Sequence, residues 1–103
     1  VGLELEDCAL VMADLQGLSF RRQTLNNLDL SEADLAKVDF RDCIFQNCKM
    51  RDARLLDSRF QGADLRAVDM GGITLDQAMT LKGAIISKDQ ASSLLAGFGL
   101  QVL

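Results

Sequence analysis

Large apolar side chains occupy every fifth position along most of the chain. They are Leu5, Leu10, Leu15, Phe20, Leu25, Leu30, Leu35, Phe40, Phe45, Met50, Leu55, Phe60, Leu65, Met70 and Leu75. Five residues of an α-helix rotate by roughly 140° about its axis, so residues at this spacing share no face. Five residues of a straight strand change face, because side chains alternate. The spacing therefore predicts a chain that turns a corner after each unit.

A second apolar position, smaller or branched, lies two residues before each large one. It is held by Leu3, Cys8, Ala13, Leu18, Leu28, Ala33, Val38, Cys43, Cys48, Ala53, Ala63, Val68 and Ile73, and only Gln23 and Ser58 interrupt the row. For Gln23 we expect a β-bulge that turns its side chain outward. Each unit thus runs inward, outward and inward, then uses two residues for a corner.

A longer period gives the number of corners in one coil. Phe20, Phe40 and Phe60 recur every twenty residues, which predicts four sides per coil. Coils that stack at the inter-strand spacing of about 4.8 Å would place these rings in one interior ladder and give a rod about 20 Å long. We predict an all-β, right-handed quadrilateral β-helix of about four coils, since crossovers between parallel strands are right-handed.

The units themselves resemble a known repeat. Ala13-Asp14-Leu15, Ala33-Asp34-Leu35 and Ala63-Asp64-Leu65 are similar to the Ala-Asp/Asn-Leu-X-X units of the pentapeptide-repeat family, and the resemblance runs from Leu3 to about Gln77. It implies the square β-helix of that family. A leucine-rich repeat fits less well, because it needs roughly 20 to 29 residues with uneven leucine spacing.

The repeat register shifts by one residue after Leu75. Ala84-Ile85-Ile86 keeps the inward, outward, inward order, but its large residue is displaced by one position. We expect a one-residue bulge between Asp76 and Thr80 to absorb the shift. The chain is accordingly divided into a β-helix over residues 1–86 and a C-terminal segment over residues 87–103.

The C-terminal segment has the signature of a short capping α-helix. Ser87 and Gln90 form a capping-box pattern, and Gly97 is a natural stop, so we predict a helix from Lys88 to Ala96. Two interpretations of the segment remain. It closes the open end of the solenoid, as terminal repeats require, or it forms a dimer contact. The apolar residues in question are Leu94, Leu95, Phe98, Leu100 and Val102. In related bacterial pentapeptide-repeat proteins, a segment of this kind joins two rods end to end.

Composition narrows the classes of function. The chain has 103 residues, 15 acidic and 11 basic side chains and a net charge of −4, so we expect one domain without direct nucleic-acid binding. It contains no apolar run long enough for a membrane span and no signal-peptide pattern. Three cysteines favour a reducing compartment. We expect a cytoplasmic protein, or one of the thylakoid lumen or periplasm if Val1 is a processed start.

Candidate chemistry is sparse. The chain has no histidine, which removes the commonest general base and metal ligand. Cys8, Cys43 and Cys48 fall on the small inward position and are predicted to be buried core thiols. Most carboxylates fall on outward positions, where solubility explains them. We therefore predict no catalytic residues, no cofactor and no metal site, and hence no enzyme.

Outward charges differ from side to side. Three sides are acidic, whereas the side backed by the phenylalanines, here called the basic side, carries +3. It consists of Arg21, Arg22, Arg41, Arg59 and Lys82 against Asp39 and Asp42. One interpretation is solvated charge, with Arg41 offset by its acidic neighbours. The other is a protein-docking surface for an acidic partner through Arg21, Arg22, Arg41 and Arg59.

The leading functional prediction is a non-enzymatic rod that binds or scaffolds a protein partner. The resemblance implies an alternative, since some pentapeptide-repeat proteins mimic duplex DNA, bind type II topoisomerases such as DNA gyrase and confer fluoroquinolone resistance. The ending, from Asp89 to Leu95 and on to Gly99-Leu100, is similar to the termini of that subgroup. The basic side and the small number of coils count against a mimic, which should be acidic along its whole length.

Overall fold

The computed structural model describes residues 6–103, and Leu3 and Leu5 of the predicted rows lie outside this range. Short parallel pairings connect residues 20 apart. β1 (Thr24–Asn26) pairs with β2 (Ile44–Gln46), and β3 (Cys48–Lys49) pairs with β4 (Val68–Asp69). Isolated parallel bridges continue the pattern on the other two sides, as in Asp14 with Asp34, Asp34 with Arg54, Ser19 with Asp39 and Asp39 with Arg59. Four columns of parallel pairs thus follow one another at five-residue intervals.

Tight turns form most of the corners between the sides. The amide that follows a corner donates to the carbonyl of the preceding large residue, as from Ala13 to Leu10 at 3.0 Å and from Val38 to Leu35 at 3.2 Å. The second corner residue has positive φ, as a type II turn requires. This holds at Asp7, Met12, Gly17, Arg22, Asn27, Glu32, Lys37, Asp42, Asn47, Asp52, Asp57 and Gly62. Most of these residues have a side chain, so contacts between the coils must offset the strain of this conformation.

The core is a stack of inward side chains along the axis. Ring centroids of Phe20 and Phe40 are 5.6 Å apart, and those of Phe40 and Phe60 are 5.0 Å apart. The predicted phenylalanine ladder is confirmed. Leu81, 8 % exposed, also belongs to the core. The molecule measures 43 × 22 × 20 Å, which is longer than the rod of about 20 Å predicted for the repeats alone.

The backbone runs through Gln23 without a bulge, so that prediction is wrong. Ser19 pairs with Asp39 and Thr24 pairs with Ile44, which leaves no extra residue between them. The Gln23 amide donates to Phe20 O at 3.0 Å, as at other corners. The turn fixes the register here, and one half-buried polar side chain does not alter it.

A short helix, α1 (Leu75–Thr80), lies where we predicted a bulge, and that prediction is also wrong. The predicted register shift itself is confirmed, because Asp64 pairs with Ile85 rather than with the residue 20 positions on. Leu75 does not point inward as the pattern predicts. It is 63 % exposed, because Thr74 caps a helix that begins at Leu75.

The second helix, α2, runs from Lys88 to Gly97, one residue beyond the prediction. The capping box is confirmed: Ser87 Oγ accepts from Gln90 N at 3.0 Å, and Gln90 Oε1 accepts from Ser87 N at 2.8 Å. Gly97 is helical, so its predicted role as the stop is wrong. The stop is Gly99, which has a φ of 83°, and the next backbone amide, that of Leu100, donates a hydrogen bond to Leu95 O at 2.9 Å.

Candidate functional site: the basic side

The basic side is built on the bridged column Ser19, Asp39 and Arg59 and on the corners that follow it. Arg21 and Arg22 form one corner, and Arg41 and Asp42 form the corner that hydrogen-bonds to it, with Arg22 N donating to Arg41 O at 2.9 Å. The phenylalanine ladder fills the interior behind these residues. The fold therefore brings the predicted arginines onto one edge of the rod.

Arg41 is neutralised by its neighbour. Its Nε donates to Asp39 Oδ1 at 2.9 Å and its Nη2 donates to Asp39 Oδ2 at 2.7 Å, in a bidentate pair. The side-chain hydrogen bond from Arg41 lowers the pKa of Asp39 and raises that of Arg41. Arg41 is also only half exposed, so it offers little free charge to a partner.

Arginines on the other sides are paired in the same way. Their ion pairs are Arg51 with Asp69 at 3.2 Å, Arg54 with Asp34 at 3.0 Å and Arg66 with Asp64 at 2.8 Å. Within residues 6–103, Arg21, Arg22 and Arg59 are exposed and form no ion pair. The arginines that form no ion pair in the described chain all lie on the basic side.

The outward aspartates have a structural role that the sequence analysis missed. In six units the aspartate Oδ1 accepts the backbone amide two residues later, at 3.0–3.1 Å. These residues are Asp14, Asp29, Asp34, Asp39, Asp64 and Asp69. The bond reaches the first corner residue and so helps to fix the turn. The signal was the preference for aspartate over other polar residues at this position.

The cysteines show no sign of activation. Cys43 and Cys48 are buried as predicted, whereas Cys8 is half-buried. Burial raises the pKa of the Cys43 thiol to about 11 and also raises that of Cys48. Each thiol donates to a backbone oxygen, such as Phe20 O for Cys43 at 2.6 Å. Among residues 6–103 no group of three or more Asp, Glu or Cys side chains is placed to hold a metal ion.

The predicted C-terminal contact residues lie on both faces of the last helix and on the tail. Leu94 is half-buried and lines a cavity of about 350 Å³ together with Val68, Met70 and Ile73. Leu95, Phe98, Leu100 and Val102 are exposed. The described part of the chain has no helix long and apolar enough to span a bilayer.

Comparison with known proteins identifies the repeat. The family model for pentapeptide repeats matches in eight copies over residues 4–42, 13–52 and 43–78. A trypsin-treated variant of QnrB1, described as a plasmid-mediated fluoroquinolone resistance protein, is similar to this chain with a TM-score of 0.63 and 25 % identity, over 100 % of this chain and 59 % of that one. This chain therefore spans about three fifths of that relative.

Two other QnrB1 structures are similar at a lower level. A second trypsin-treated variant has 17 % identity and a TM-score of 0.43, with 97 % of this chain and 70 % of that one covered. Full-length QnrB1 has 18 % identity and a TM-score of 0.39, with 92 % and 68 % covered. No curated protein matches this chain.

The family match and the parallel pairing agree. The matched residues make up well over half of the chain, and the family together with the first QnrB1 variant implies a right-handed β-helix. The five-residue spacing, the parallel pairing of residues 20 apart and the family model all indicate the same repeat. The chain belongs to the pentapeptide-repeat family.

Proposed function

We propose that this chain is a non-enzymatic rod that binds a protein partner through its basic side. The observation that carries the proposal is that Arg21, Arg22 and Arg59 are exposed and form no ion pair within the described chain, whereas Arg51, Arg54 and Arg66 are each paired. We place the function in the cytoplasm, in line with three cysteines that form no disulfide.

Guanidinium groups that form no ion pair and lie on a rigid β-helix are well suited to bind a protein partner. Arginine binds carboxylates in a fixed bidentate geometry and is enriched at interfaces. Complementary charge also speeds association and selects the partner. Because the acidic neighbours of Arg21, Arg22 and Arg59 are not already bound to them, an acidic partner gains these contacts without breaking an internal ion pair.

A charge-reversal experiment tests the proposal. Arg21→Glu, Arg22→Glu and Arg59→Glu are combined in one variant and Arg51→Glu, Arg54→Glu and Arg66→Glu in a matched control, so both change net charge equally. Affinity capture from the native host lysate, followed by measurement of the purified partner's Kd, should show about a hundredfold loss for the first variant and a much smaller loss for the second. Equal losses would refute the basic side as the docking surface.

The likeness to QnrB1 favours a second candidate. A DNA-mimic function would make DNA gyrase, or another type II topoisomerase, the partner, as the family resemblance implies. Purified chain added to a gyrase supercoiling assay should then inhibit supercoiling or protect it from a fluoroquinolone. Protection that survives reversal of Arg21, Arg22 and Arg59 would favour the mimic, because an acidic mimic does not use these arginines.

We also infer that the β-helix contains about four coils, that residues 87–103 form a separate C-terminal unit and that this unit both caps the rod and joins two rods. Support for the coil count comes from the length of the bridged columns, one of which joins Thr24, Ile44, Asp64 and Ile85. Support for the contact between rods comes from the exposure of Leu95, Phe98, Leu100 and Val102. Sedimentation should show a dimer that is lost on truncation after Ser87. Because that truncation also removes Gln90, the point variants Phe98→Asp and Leu100→Asp provide a milder test, and a dimer that persists in both would exclude this contact.

A further inference from the structure

We propose that the partner of the basic side is an acidic segment that also carries large apolar side chains, and that these side chains pack on Leu75 and Met79 of α1. This inference rests on the proposed function of the basic side. It adds a second, apolar contact area beside the arginines and thereby defines the chemistry of the partner.

The first observation is an exposed apolar pair on α1. Leu75 is 63 % exposed and Met79 is 69 % exposed. They lie four residues apart in a helix, which places them on the same face. α1 contributes no buried residue to the core. Its large apolar side chains therefore have no role in packing the repeats.

The second observation is that α1 is held firmly. Thr74 Oγ1 accepts from Gln77 N at 3.2 Å, and Gln77 Oε1 accepts from Thr74 N at 2.9 Å. Gln77 Nε2 also donates to Ala53 O at 3.3 Å, which ties the helix to the preceding coil. A helix fixed at one end by the capping box and followed by buried Leu81 presents its apolar pair in one place, which lowers the entropy cost of binding.

The third observation is that the apolar pair adjoins the basic side. Gly62 N donates to Gly83 O at 2.9 Å, so the turn at Lys82 and Gly83 extends the corner edge of the basic side. The first corner residues along this edge, from one coil to the next, are Arg21, Arg41, Gln61 and Lys82. Lys82 N in turn bonds to Met79 O at 3.4 Å. The helix therefore ends next to the last corner of the basic side, so a single partner segment can contact both.

Charge complementarity selects the occupant. The exposed cations Arg21, Arg22, Arg59 and Lys82 outnumber Asp42, the acidic residue of this side outside the Arg41 ion pair. They require carboxylates on the partner. Leu75 and Met79 require apolar anchors at one end of the same segment, since interface energy is concentrated in such buried anchors. A purely anionic polymer such as duplex DNA would leave the apolar pair uncovered.

Fluorescence anisotropy with three labelled peptides tests the inference on the full chain. The first peptide is rich in glutamate in one half and carries leucine and phenylalanine in the other. In the second peptide serine replaces the apolar residues, and in the third glutamine replaces the glutamates. We expect the first peptide to bind at least about tenfold more tightly than either of the others.

Variants of the chain complete the test. Leu75→Ser with Met79→Ser should bring the first peptide down to the affinity of the second, whereas the matched change Leu95→Ser with Leu100→Ser should not. If the first two peptides bind equally and both depend on Arg21, Arg22 and Arg59, the inference fails while the proposed function stands. If no peptide binds, both fail. Tighter binding of a DNA duplex, or loss of a dimer in Leu75→Ser with Met79→Ser, would also overturn it.

Discussion

Aspartate at the outward position of a unit acts on both the backbone and a neighbouring side chain. Asp39 Oδ1 accepts the Arg41 amide at 3.0 Å as well as its guanidinium. Asp64 and Arg66 repeat the arrangement. The pKa of both carboxyl groups is lowered, first of all by the side-chain hydrogen bond from the arginine. A residue that looks like a solubilising charge thus helps to hold the corner that follows it.

The aspartate bond makes stability depend on pH. A lowered pKa in the folded state stabilises the fold above the ordinary value of 3.8, and this contribution disappears as pH falls through the folded value. Asp39→Asn should cost about 1 kcal/mol at neutral pH and should lose less stability than the wild type below pH 4. Urea unfolding at several pH values, followed by circular dichroism, measures both effects.

The control for this prediction is Asp57→Asn. Asp57 is exposed, has a φ of 58° and forms no side-chain hydrogen bond within the described residues, and asparagine tolerates that conformation. Its unfolding free energy at neutral pH should stay close to that of the wild type. The same pH profile in both variants would contradict a role for the Asp39 bond.

The thiols should differ in reactivity by position. With a pKa of about 11, only about one Cys43 thiol in a thousand is ionised at pH 8, and Cys43 and Cys48 are also shielded from reagents. We expect Ellman's reagent to label Cys8 quickly in the folded protein and all three cysteines only in urea. Release of three equivalents at one rate from the folded protein would contradict the burial of Cys43 and Cys48.

At the scale of the element, the second corner residue accepts many side chains, but the space around it differs from coil to coil. Gly62 has a φ of 75°, and a Cβ atom at this position would clash with the Asp42 carboxylate of the preceding coil. Gly17 has nearly the same φ, 74°, but no atom lies near its ideal Cβ position. These two glycines separate the cost of backbone conformation from the cost of crowding between coils.

Gly62→Ala should therefore destabilise the protein more than Gly17→Ala. Both variants lose about 1 kcal/mol for a non-glycine residue at positive φ. Gly62→Ala must also move the exposed Asp42 carboxylate to another rotamer, so we expect it to lose about 0.5–1 kcal/mol more. Chemical unfolding of the two variants gives the difference directly. Equal losses would mean that Asp42 moves aside without cost.

The capping-box glutamine of α2 also bonds to the solenoid. Gln90 Nε2 donates to Leu65 O at 2.7 Å and to Val68 O at 2.9 Å. Gln90→Ala removes these bonds and half of the capping box, and should cost about 2 kcal/mol. Thermal unfolding measures the loss, and Gln46→Ala, at an exposed strand position, is the control. A melting temperature that is unchanged in Gln90→Ala would show that α2 does not depend on this bond.

The repeat was predictable from the sequence because every unit places apolar residues at the same two inward positions. The helix α1, which interrupts the repeat, was not predicted. α1 was missed although Thr74 to Gln77 has the same Ser/Thr-x-x-Gln pattern as Ser87 to Gln90. The five-residue spacing placed Leu75 inward and outweighed that pattern. A capping box gives hydrogen-bond partners to the free backbone amides at the start of a helix. At the end of the repeats, this gain outweighs the five-residue spacing that would place Leu75 inside.

At the scale of the whole molecule, the sequence allowed charges to be sorted by side but not to be paired. The side of each arginine follows from its position in the twenty-residue period. Its partner depends on the reach of a long side chain across coils, as from Arg51 to Asp69 and from Arg54 to Asp34. The structure was therefore needed to show which arginines form no ion pair. The candidate site depends on the difference between paired and unpaired arginines.

The net charge of −4 does not show how unevenly the charges are distributed over the four sides. A molecule with acidic sides and one basic side presents different surfaces to partners that approach from different directions, and its cross-section of 22 × 20 Å keeps opposite sides apart. Association through the basic side should therefore weaken with salt even though the protein as a whole is acidic.

The parallel pairing also determines how the rod would respond to tension. Backbone bonds between coils join residues about 20 apart, as from Leu30 N to Lys49 O and from Asp34 N to Ala13 O, so each coil is secured only by its immediate neighbours. Pulled from its two termini, such a rod should unravel one coil at a time. Each step would release about 70 Å of contour length, given roughly 3.5 Å per extended residue. Optical tweezers would resolve these successive extension steps. A single abrupt extension would show that the coils unfold cooperatively.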